Sequence, residues 1–143
     1  MKKFTSKTQK VGEIGEKIAE VFLVKHGFII LERNFTCKAG EIDIICQKSG
    51  KIHFVEVKAG RGRKVSYETL PEDSRKPYHV PYNPFQNVTR EKLAKCVRTI
   101  ELWLSFHKKL VSRETYWQMD GISVSIDSDS RKAQVEYLEN INI

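Results

Sequence analysis

Three charged side chains interrupt two apolar segments at a spacing suited to metal-ion chemistry. Asp43 lies in GEIDIICQK, Glu56 and Lys58 lie in KIHFVEVKAG, and a Ser-Gly dipeptide separates the two segments. Alternating apolar residues on both sides of a turn dipeptide that ends in Gly predict a β-hairpin. Because strand side chains alternate between faces, Asp43, Glu56 and Lys58 are expected to share one face of this hairpin.

The register of the hairpin decides how close the two carboxylates come. With the Ser-Gly dipeptide at the centre of the turn, Lys48 pairs with Lys51, and Asp43 then lies opposite Glu56. The Cβ atoms of directly opposite residues are ~5 Å apart, and like charges at that distance are destabilising. Two carboxylates so placed among isoleucines and valines predict a bound cation, unless a one-residue bulge turns Asp43 to the other face.

The chemistry of such a site depends on its oxygen ligands and on the lysine. An Asp/Glu pair suits a hard divalent ion, typically Mg²⁺, which keeps several of its waters. Lys58 follows Glu56 on the same face at a Cα separation of ~6.6 Å. An ammonium there can stabilise charge that develops on a phosphate, or orient a water. The alternative is a solvated strand end, in which Lys58 pairs with Glu41 and Asp43 marks an exposed face.

The other face of the hairpin is expected to pack on a core. By alternation its residues are Ile42, Ile44, Val55 and Val57, which all suit the interior of a sheet. Apolar residues also accompany the carboxylates on the charged face. A sheet that is buried on both sides, with charges confined to one corner, is typical of a cleft in an α/β domain.

The composition indicates a single domain that favours polyanionic partners. The chain has 143 residues, of which 40% are hydrophobic and 30% are charged, and its net charge is +7. That length is enough for a substantial core, and a positive balance favours polyanions. Neither a signal peptide nor a run of membrane-spanning length is recognisable, so we expect a cytoplasmic protein without a membrane partner.

The three cysteines indicate no chemistry of their own. Cys37, Cys46 and Cys96 form no C-x-x-C and leave an odd count, which is typical of reduced thiols in a cytoplasmic protein. Cys46 is expected to face His53 across the hairpin, but the sequence offers no further ligands there for a zinc site.

The remaining sequence predicts the elements that must position the hairpin. Residues 1–10 are polar and basic and are expected to form a flexible arm, and one domain is expected over 11–143. The apolar stripe of the first helix includes Val11 and Ile14, and Glu16 falls at its edge. The expected elements, in chain order, are a helix at 11–26, a strand at 28–35, the hairpin at 40–60, a helix at 88–109, a strand at 117–126 and a last strand at 133–138.

A long segment between the hairpin and the second helix is expected to be a loop. Residues 60–86 contain all four prolines and no lasting periodicity, and a loop of this length in a compact domain is usually functional or mobile. Its interleaved basic residues and tyrosines suit phosphates and exposed bases, although a solvated basic loop fits equally well. The candidate nucleic-acid-binding residues are Arg61, Arg63, Lys64, Arg75, Lys76 and, on the following helix, Lys92.

The element order, Asp43 and the run Glu56-Val57-Lys58 resemble the restriction-endonuclease-like nucleases of the PD-(D/E)xK superfamily. More closely, the chain resembles the YraN-type family of uncharacterised bacterial proteins, relatives of archaeal Holliday-junction resolvases. The resemblance covers nearly the whole chain and is most specific in residues 12–58. The matching residues there are Gly12, Gly15-Glu16, Ala19, Phe22-Leu23, Arg33-Asn34, Gly40 to Ile45 and Phe54 to Lys58.

The resemblance implies an α/β fold with an αβββαβ core, a mixed central sheet flanked by helices, and an extra C-terminal edge strand. It also implies that Glu16 and the carbonyl of Val57 join Asp43 and Glu56 as ligands of Mg²⁺ or Mn²⁺. Asp43, Glu56 and Lys58 would be the catalytic residues. The chain departs from the family after Lys58. The family usually continues with a basic residue and a shorter loop, whereas here Ala59-Gly60 precede a long insertion.

Two functions of different classes fit these residues best. The first is a metal-dependent nuclease that hydrolyses DNA phosphodiester bonds, for which kinship with resolvases implies a branched substrate, a homodimer and a role in DNA repair or recombination. The second is a nucleic-acid-binding module that keeps the fold and cleaves nothing. A structural adaptor whose charges are merely solvated is a third, and it predicts that added metal changes nothing.

Overall fold

The computed structural model describes residues 7–61, 89–112, 114–127 and 130–141. Within those ranges the chain forms two helices and five strands, which confirms the predicted α/β class and the order of the elements. The elements are α1 Lys7–Lys25, β1 Ile29–Cys37, β2 Gly40–Lys48, β3 Lys51–Arg61, α2 Arg90–Phe106, β4 Tyr116–Asp127 and β5 Lys132–Leu138. Neither helix in the described ranges is long and apolar enough to cross a bilayer.

The five strands form one mixed sheet in the order β1-β2-β3-β4-β5. Neighbouring strands are antiparallel, except that β3 and β4 run parallel. A parallel pair needs a crossover connection, and α2 lies in the segment that joins these two strands. The result is consistent with a restriction-endonuclease-like core, with β5 as the predicted C-terminal edge strand.

Each face of the sheet is covered by one helix, which gives two hydrophobic clusters. The α1 cluster joins Ala19 and Leu23 to apolar residues of the sheet, among them Ile44. The α2 cluster joins Ile100 and Trp103 to the opposite face. The central strands are therefore buried on both sides, as a cleft with charges at one corner requires.

The hairpin turn forms as the sequence predicts. Ser49 and Gly50 have φ angles of +52° and +75°, and positive φ at both central residues is what the tight I′ turn of a hairpin requires. The pairs run from Lys48 with Lys51 to Ile44 with Val55, which confirms this part of the predicted register.

The first helix begins earlier than predicted, and its buried stripe is rotated. It starts at Lys7, so residues 7–10 of the expected arm are helical, whereas 1–6 lie outside the described residues. Polar residues extend the helix because its solvent side needs no apolar pattern. Ile14, expected on the buried stripe, is 49% exposed, while Val11 and Ala19 are buried. The sheet, which the helix sequence does not contain, decides which stripe is covered.

The segment predicted as a loop contributes its first two residues to the sheet. β3 continues through Gly60 to Arg61, and residues 62–88 lie outside the described residues. The second helix starts at Arg90, where Thr89 is the N-cap and accepts a hydrogen bond from the Lys92 backbone N–H.

Gly15 allows α1 to lie directly against β3. A methyl group at this position would overlap the Cβ of Ala59, so we expect Gly15→Ala to destabilise the protein by about 1–3 kcal/mol. Urea unfolding measures the change. Adding Ala59→Gly should restore most of the stability, because it removes the atom that the new methyl group meets.

Gly12→Ala is the matched control on the same helix. A methyl group there meets no atom within 4 Å, so the better helix propensity of alanine should stabilise the protein by ~0.5–1 kcal/mol. Equal effects at Gly12 and Gly15 would contradict the close packing of α1 on β3.

Candidate functional site

In the described residues, β2 and β3, which carry Asp43 and Glu56, pair with each other only as far as Ile44 and Val55. Beyond the Ile44–Val55 pair, described backbone pairing continues from β2 to β1 and from β3 to β4, but not between β2 and β3. Asp43 Oδ2 instead accepts a hydrogen bond of 2.8 Å from the Val57 backbone N–H. A side chain therefore replaces the missing strand partner, and this holds the Asp43 carboxylate beside Glu56 and Lys58.

The predicted alternation of β2 breaks at Asp43, which corrects the expected faces of the hairpin. Ile44 packs in the α1 cluster, but Ile42, predicted on the same face, packs in the α2 cluster. Opposite this point Asn34 of β1 has a φ of +52°, a left-handed conformation that interrupts strand alternation. The irregularity turns Asp43 towards the first helix, so it does not simply share the face of Glu56.

Glu16 of α1 comes to the same place from the other layer. Partial burial, the Asp43 charge and a side-chain hydrogen bond with Asp43 raise the pKa of Glu16 from 4.5 to about 7. One turn further along the helix, Glu20 forms a two-pronged ion pair with Arg33 of β1. This exposed pair joins α1 to β1 one turn from Glu16.

Glu56 lies on β3 in a largely buried position. Burial and the nearby Asp43 charge raise its pKa from 4.5 to about 7, against a smaller lowering by Lys58. The charge of Glu56 also helps to raise the pKa of the Cys96 thiol on α2, chiefly a result of burial. Glu56 therefore lies between the carboxylates near α1 and the inner side of α2.

The Asp43 charge disfavours ionisation of Glu16 and Glu56, and all three carboxylates lose solvation. Burial raises the pKa of Asp43 and the Glu41 charge adds to this, although hydrogen bonds from the Val57 N–H and with Glu16 oppose it. Among the described residues, no group of three or more His, Cys, Asp or Glu side chains is close enough together to hold a metal ion. Oxygen ligands with raised pKa values nevertheless fit a hard divalent cation, whose charge removes the repulsion.

A cleft of about 760 Å³ opens beside Asp43 and Glu16. Its described acidic side chains outnumber the basic ones, although the whole chain has a net charge of +7. The acidic residues are Glu13, Glu16, Glu20, Glu41 and Asp43, and the basic ones are Lys17 and Arg33. A polyanion would be repelled from this cleft unless a cation were bound in it.

Comparison with known proteins identifies the family. Residues 15–124, which include Glu16, Asp43, Glu56 and Lys58, match the model of "Uncharacterised protein family UPF0102". The chain belongs to the UPF0102 family. Curated UPF0102 proteins of Nitratiruptor sp. and Campylobacter hominis are each 35% identical over 137 residues, covering 96% of this chain and 96% and 97% of theirs. One from Clostridium botulinum is 32% identical over 130 residues, 91% of each chain.

Only some of the basic residues predicted to bind nucleic acid lie in the part of this UPF0102 protein that the structure describes. Lys58 and Arg61 are exposed on β3 beyond Glu56, and Lys92 is exposed on the first turn of α2. Arg63, Lys64, Arg75 and Lys76 lie outside the described residues. The role of the Val57 carbonyl as a metal ligand stays a prediction.

The UPF0102 protein also contains a buried polar network that the sequence patterns missed. Asp120 of β4 has no solvent exposure. It accepts hydrogen bonds from His53 Nδ1 at 2.5 Å, Gln118 Nε2 at 2.7 Å, the Tyr137 hydroxyl and the Asn140 backbone N–H at 2.9 Å. An acidic residue inside the apolar run of β4 was the available signal, because buried carboxylates need partners.

Proposed function

We propose that this UPF0102 protein is a metal-dependent nuclease that hydrolyses phosphodiester bonds of DNA. The observation that carries the proposal is the approach of Glu16, Asp43 and Glu56 from three elements, where burial raises the pKa of all three and the Asp43 charge adds to the rise at Glu16 and Glu56. A purely structural protein gains nothing from carboxylates that repel one another. Lys58, two residues after Glu56, supplies a positive charge on the same strand.

Asp43, Glu56 and, directly or through water, Glu16 would hold Mg²⁺ or Mn²⁺. When bound, such an ion activates a water and offsets the negative charge of the scissile phosphate. The Val57 N–H keeps one oxygen of Asp43 in place, and the Glu20–Arg33 pair joins α1, which carries Glu16, to β1. These contacts organise the ligands before substrate arrives.

Lys58 would stabilise the charge that builds on the phosphate during hydrolysis. An ammonium needs no metal to do this, and it also favours the ionised form of Glu56. Exposed Arg61 and Lys92 would contact the DNA backbone, which gives affinity with little sequence readout. We extend the proposal to branched DNA and to a homodimer, since two symmetric cuts require two sites.

The stability of the metal-free protein should fall as the pH rises. Glu56 has a folded pKa of about 7 against 4.5, so its contribution is fully present below about pH 4.5 and is lost as the pH rises through about 7. That shift corresponds to about 3 kcal/mol. Urea unfolding in EDTA at about pH 5 and pH 8 measures it, and Mg²⁺ should restore stability at the higher pH because it favours the ionised carboxylates.

Glu56→Gln is the control for this pH dependence. The variant keeps the shape of the side chain but does not titrate, so the Glu56 part of the change should disappear, while Glu16, whose pKa is also raised to about 7, should still lower the stability as the pH rises. A wild-type stability that is the same at both, with and without Mg²⁺, would contradict a strained carboxylate cluster that binds divalent ions.

Cleavage of labelled linear, flapped and four-way-junction DNA in Mg²⁺ or Mn²⁺ tests the proposed activity. We expect Lys58→Ala to slow cleavage by roughly a hundredfold or more, because it removes a charge that acts on the transition state. Lys108→Ala, which removes an exposed lysine beyond the end of α2, should cleave like the wild type. Binding is measured in parallel with Ca²⁺ as the metal.

The comparison of cutting and binding separates the two candidate functions. Cleavage of one DNA form in preference to the others would name the substrate structure. Binding of every form without cutting would replace the nuclease by a nucleic-acid-binding module with the same fold.

A further inference from the structure

A second pocket lies at the opposite end of the α1 face from the carboxylate cleft. It has a volume of about 350 Å³ and is lined by residues from the end of α1, the hairpin turn and β5. It shares no described lining residue with the carboxylate cleft. Along β2, the distance from Asp43 to Lys48 is roughly 16 Å. The two pockets are therefore separate places on the molecule.

Aromatic rings form the floor and one side of this pocket. The Phe28 ring meets the His53 ring edge-on at 5.0 Å and the Tyr137 ring at 6.0 Å. Phe22 stacks on His26 with ring centroids 4.1 Å apart. Asp120 accepts hydrogen bonds from both His53 and Tyr137, so the orientation of both rings is fixed before any ligand enters.

Two ammonium groups are held at the same pocket. Lys51 Nζ donates to Gln118 Oε1 at 3.0 Å, and Gln118 in turn donates to Asp120. Lys48 Nζ lies 5.0 Å from the centroid of the Phe28 ring. An ammonium has three donors, so Lys51 keeps donors for a ligand after its bond to Gln118. Their contacts position the two lysines before a ligand binds, which reduces the conformational entropy that is lost on binding.

We propose that this pocket is a binding site for a nucleoside monophosphate unit, with the phosphate on Lys48 and Lys51 and the base against the aromatic rings. Two ammonium groups that line one pocket suit a doubly charged phosphate. The Phe22–His26 stack and the Tyr137 ring, which are more exposed than Phe28, suit a flat heterocycle, because base–aromatic stacking tolerates any base. Glu139, the one carboxylate among the described lining residues, can accept from an amino group of adenine or cytosine.

The ligand could be a free nucleotide or the phosphorylated end of a strand, and both present the same chemistry. The proposal does not depend on cleavage, since the site needs neither a metal nor the carboxylates of the cleft. We therefore expect binding to persist in EDTA and in Asp43→Asn.

Isothermal titration of the full chain in EDTA with AMP, adenosine and inorganic phosphate tests the site. AMP should bind more tightly than either of its parts. The double variant Lys48→Ala/Lys51→Ala should weaken AMP binding roughly tenfold or more, because charge-assisted hydrogen bonds are lost. The matched double variant Lys108→Ala/Lys109→Ala removes two exposed lysines elsewhere and should bind like the wild type.

Histidine ring resonances in proton NMR locate the ligand without any substitution. AMP should shift the signals of His53 and His26 and leave that of His107 unchanged. A 5′-phosphorylated dinucleotide distinguishes the sources: tighter binding than AMP supports a strand end, and weaker binding supports a free nucleotide. No saturable binding of AMP at millimolar concentration, equal binding by the two double variants, or an unmoved His53 signal would overturn the proposal.

Discussion

Asp43→Asn is expected to lower the rate of DNA cleavage by about a thousandfold or more. The amide oxygen can still accept the hydrogen bond from the Val57 N–H, so the backbone between β2 and β3 keeps its partner. What is lost is a negatively charged ligand for the divalent ion. Cleavage rates under single-turnover conditions in Mg²⁺ measure the effect, and circular dichroism shows whether the fold is retained.

Glu41→Gln is the matched control for Asp43→Asn. Glu41 lines the same cleft and contributes to the raised pKa of Asp43, but it is exposed and is not among the proposed ligands. Its loss should change cleavage only slightly.

In EDTA, Asp43→Asn should be at least as stable as the wild type, since repulsion between the Asp43 carboxylate and its acidic neighbours is relieved. Retained cleavage in Asp43→Asn would exclude a role for this carboxylate in catalysis.

Asp120→Asn is expected to destabilise the protein by about 3–5 kcal/mol. Each oxygen of Asp120 accepts two hydrogen bonds: His53 and Tyr137 donate to Oδ2, and Gln118 and the Asn140 N–H donate to Oδ1. With its NH₂ towards Gln118 and the Asn140 N–H, an amide would face two donors. With its NH₂ towards His53 and Tyr137, it would force His53 into its other tautomer and reverse the Tyr137 hydroxyl. Because Asp120 is fully buried, water cannot replace the lost acceptor.

Glu136→Gln serves as the control for Asp120→Asn. Glu136 is an exposed residue of β5, so its change removes a carboxylate charge without disturbing a buried network. Urea unfolding should show little effect there and a large loss of stability in Asp120→Asn. Similar values for the two variants would mean that the Asp120 network contributes little to the fold.

The hairpin at the centre of the molecule could be predicted because its signals are local. Ser49 and Gly50 adopt the positive φ angles that a tight hairpin turn needs, and the alternating apolar residues fix the register as far as Ile44 and Val55. The capping residue Thr89 is likewise a local feature of the helix that it begins. Such features depend only on neighbouring residues, so a sequence contains them in full.

The features that the sequence did not predict depend on other parts of the chain. The break in alternation at Asp43 arises where two strands separate and Asn34 of a third adopts a left-handed conformation. The Asp120 network joins His53 and Tyr137 from strands on either side. Ile14 is exposed because the sheet covers a neighbouring stripe of the helix. Asp43 and Glu56 were predicted as candidate ligands because they lie within apolar strands in register with each other, and Glu16 because of the resemblance to the superfamily.

The parallel pairing of β3 with β4 has a consequence for the order of folding. It joins residues far apart along the chain, such as Lys51 and Tyr116, whereas β1, β2 and β3 pair with their immediate neighbours. Long-range pairs form slowly, because a large loop must close before any contact is gained. The meander that carries Asp43 and Glu56 can thus assemble first. The Asp43 and Glu56 carboxylates then meet in a half-built sheet, so the repulsion between them acts on the rate of folding as well as on the stability of the finished protein.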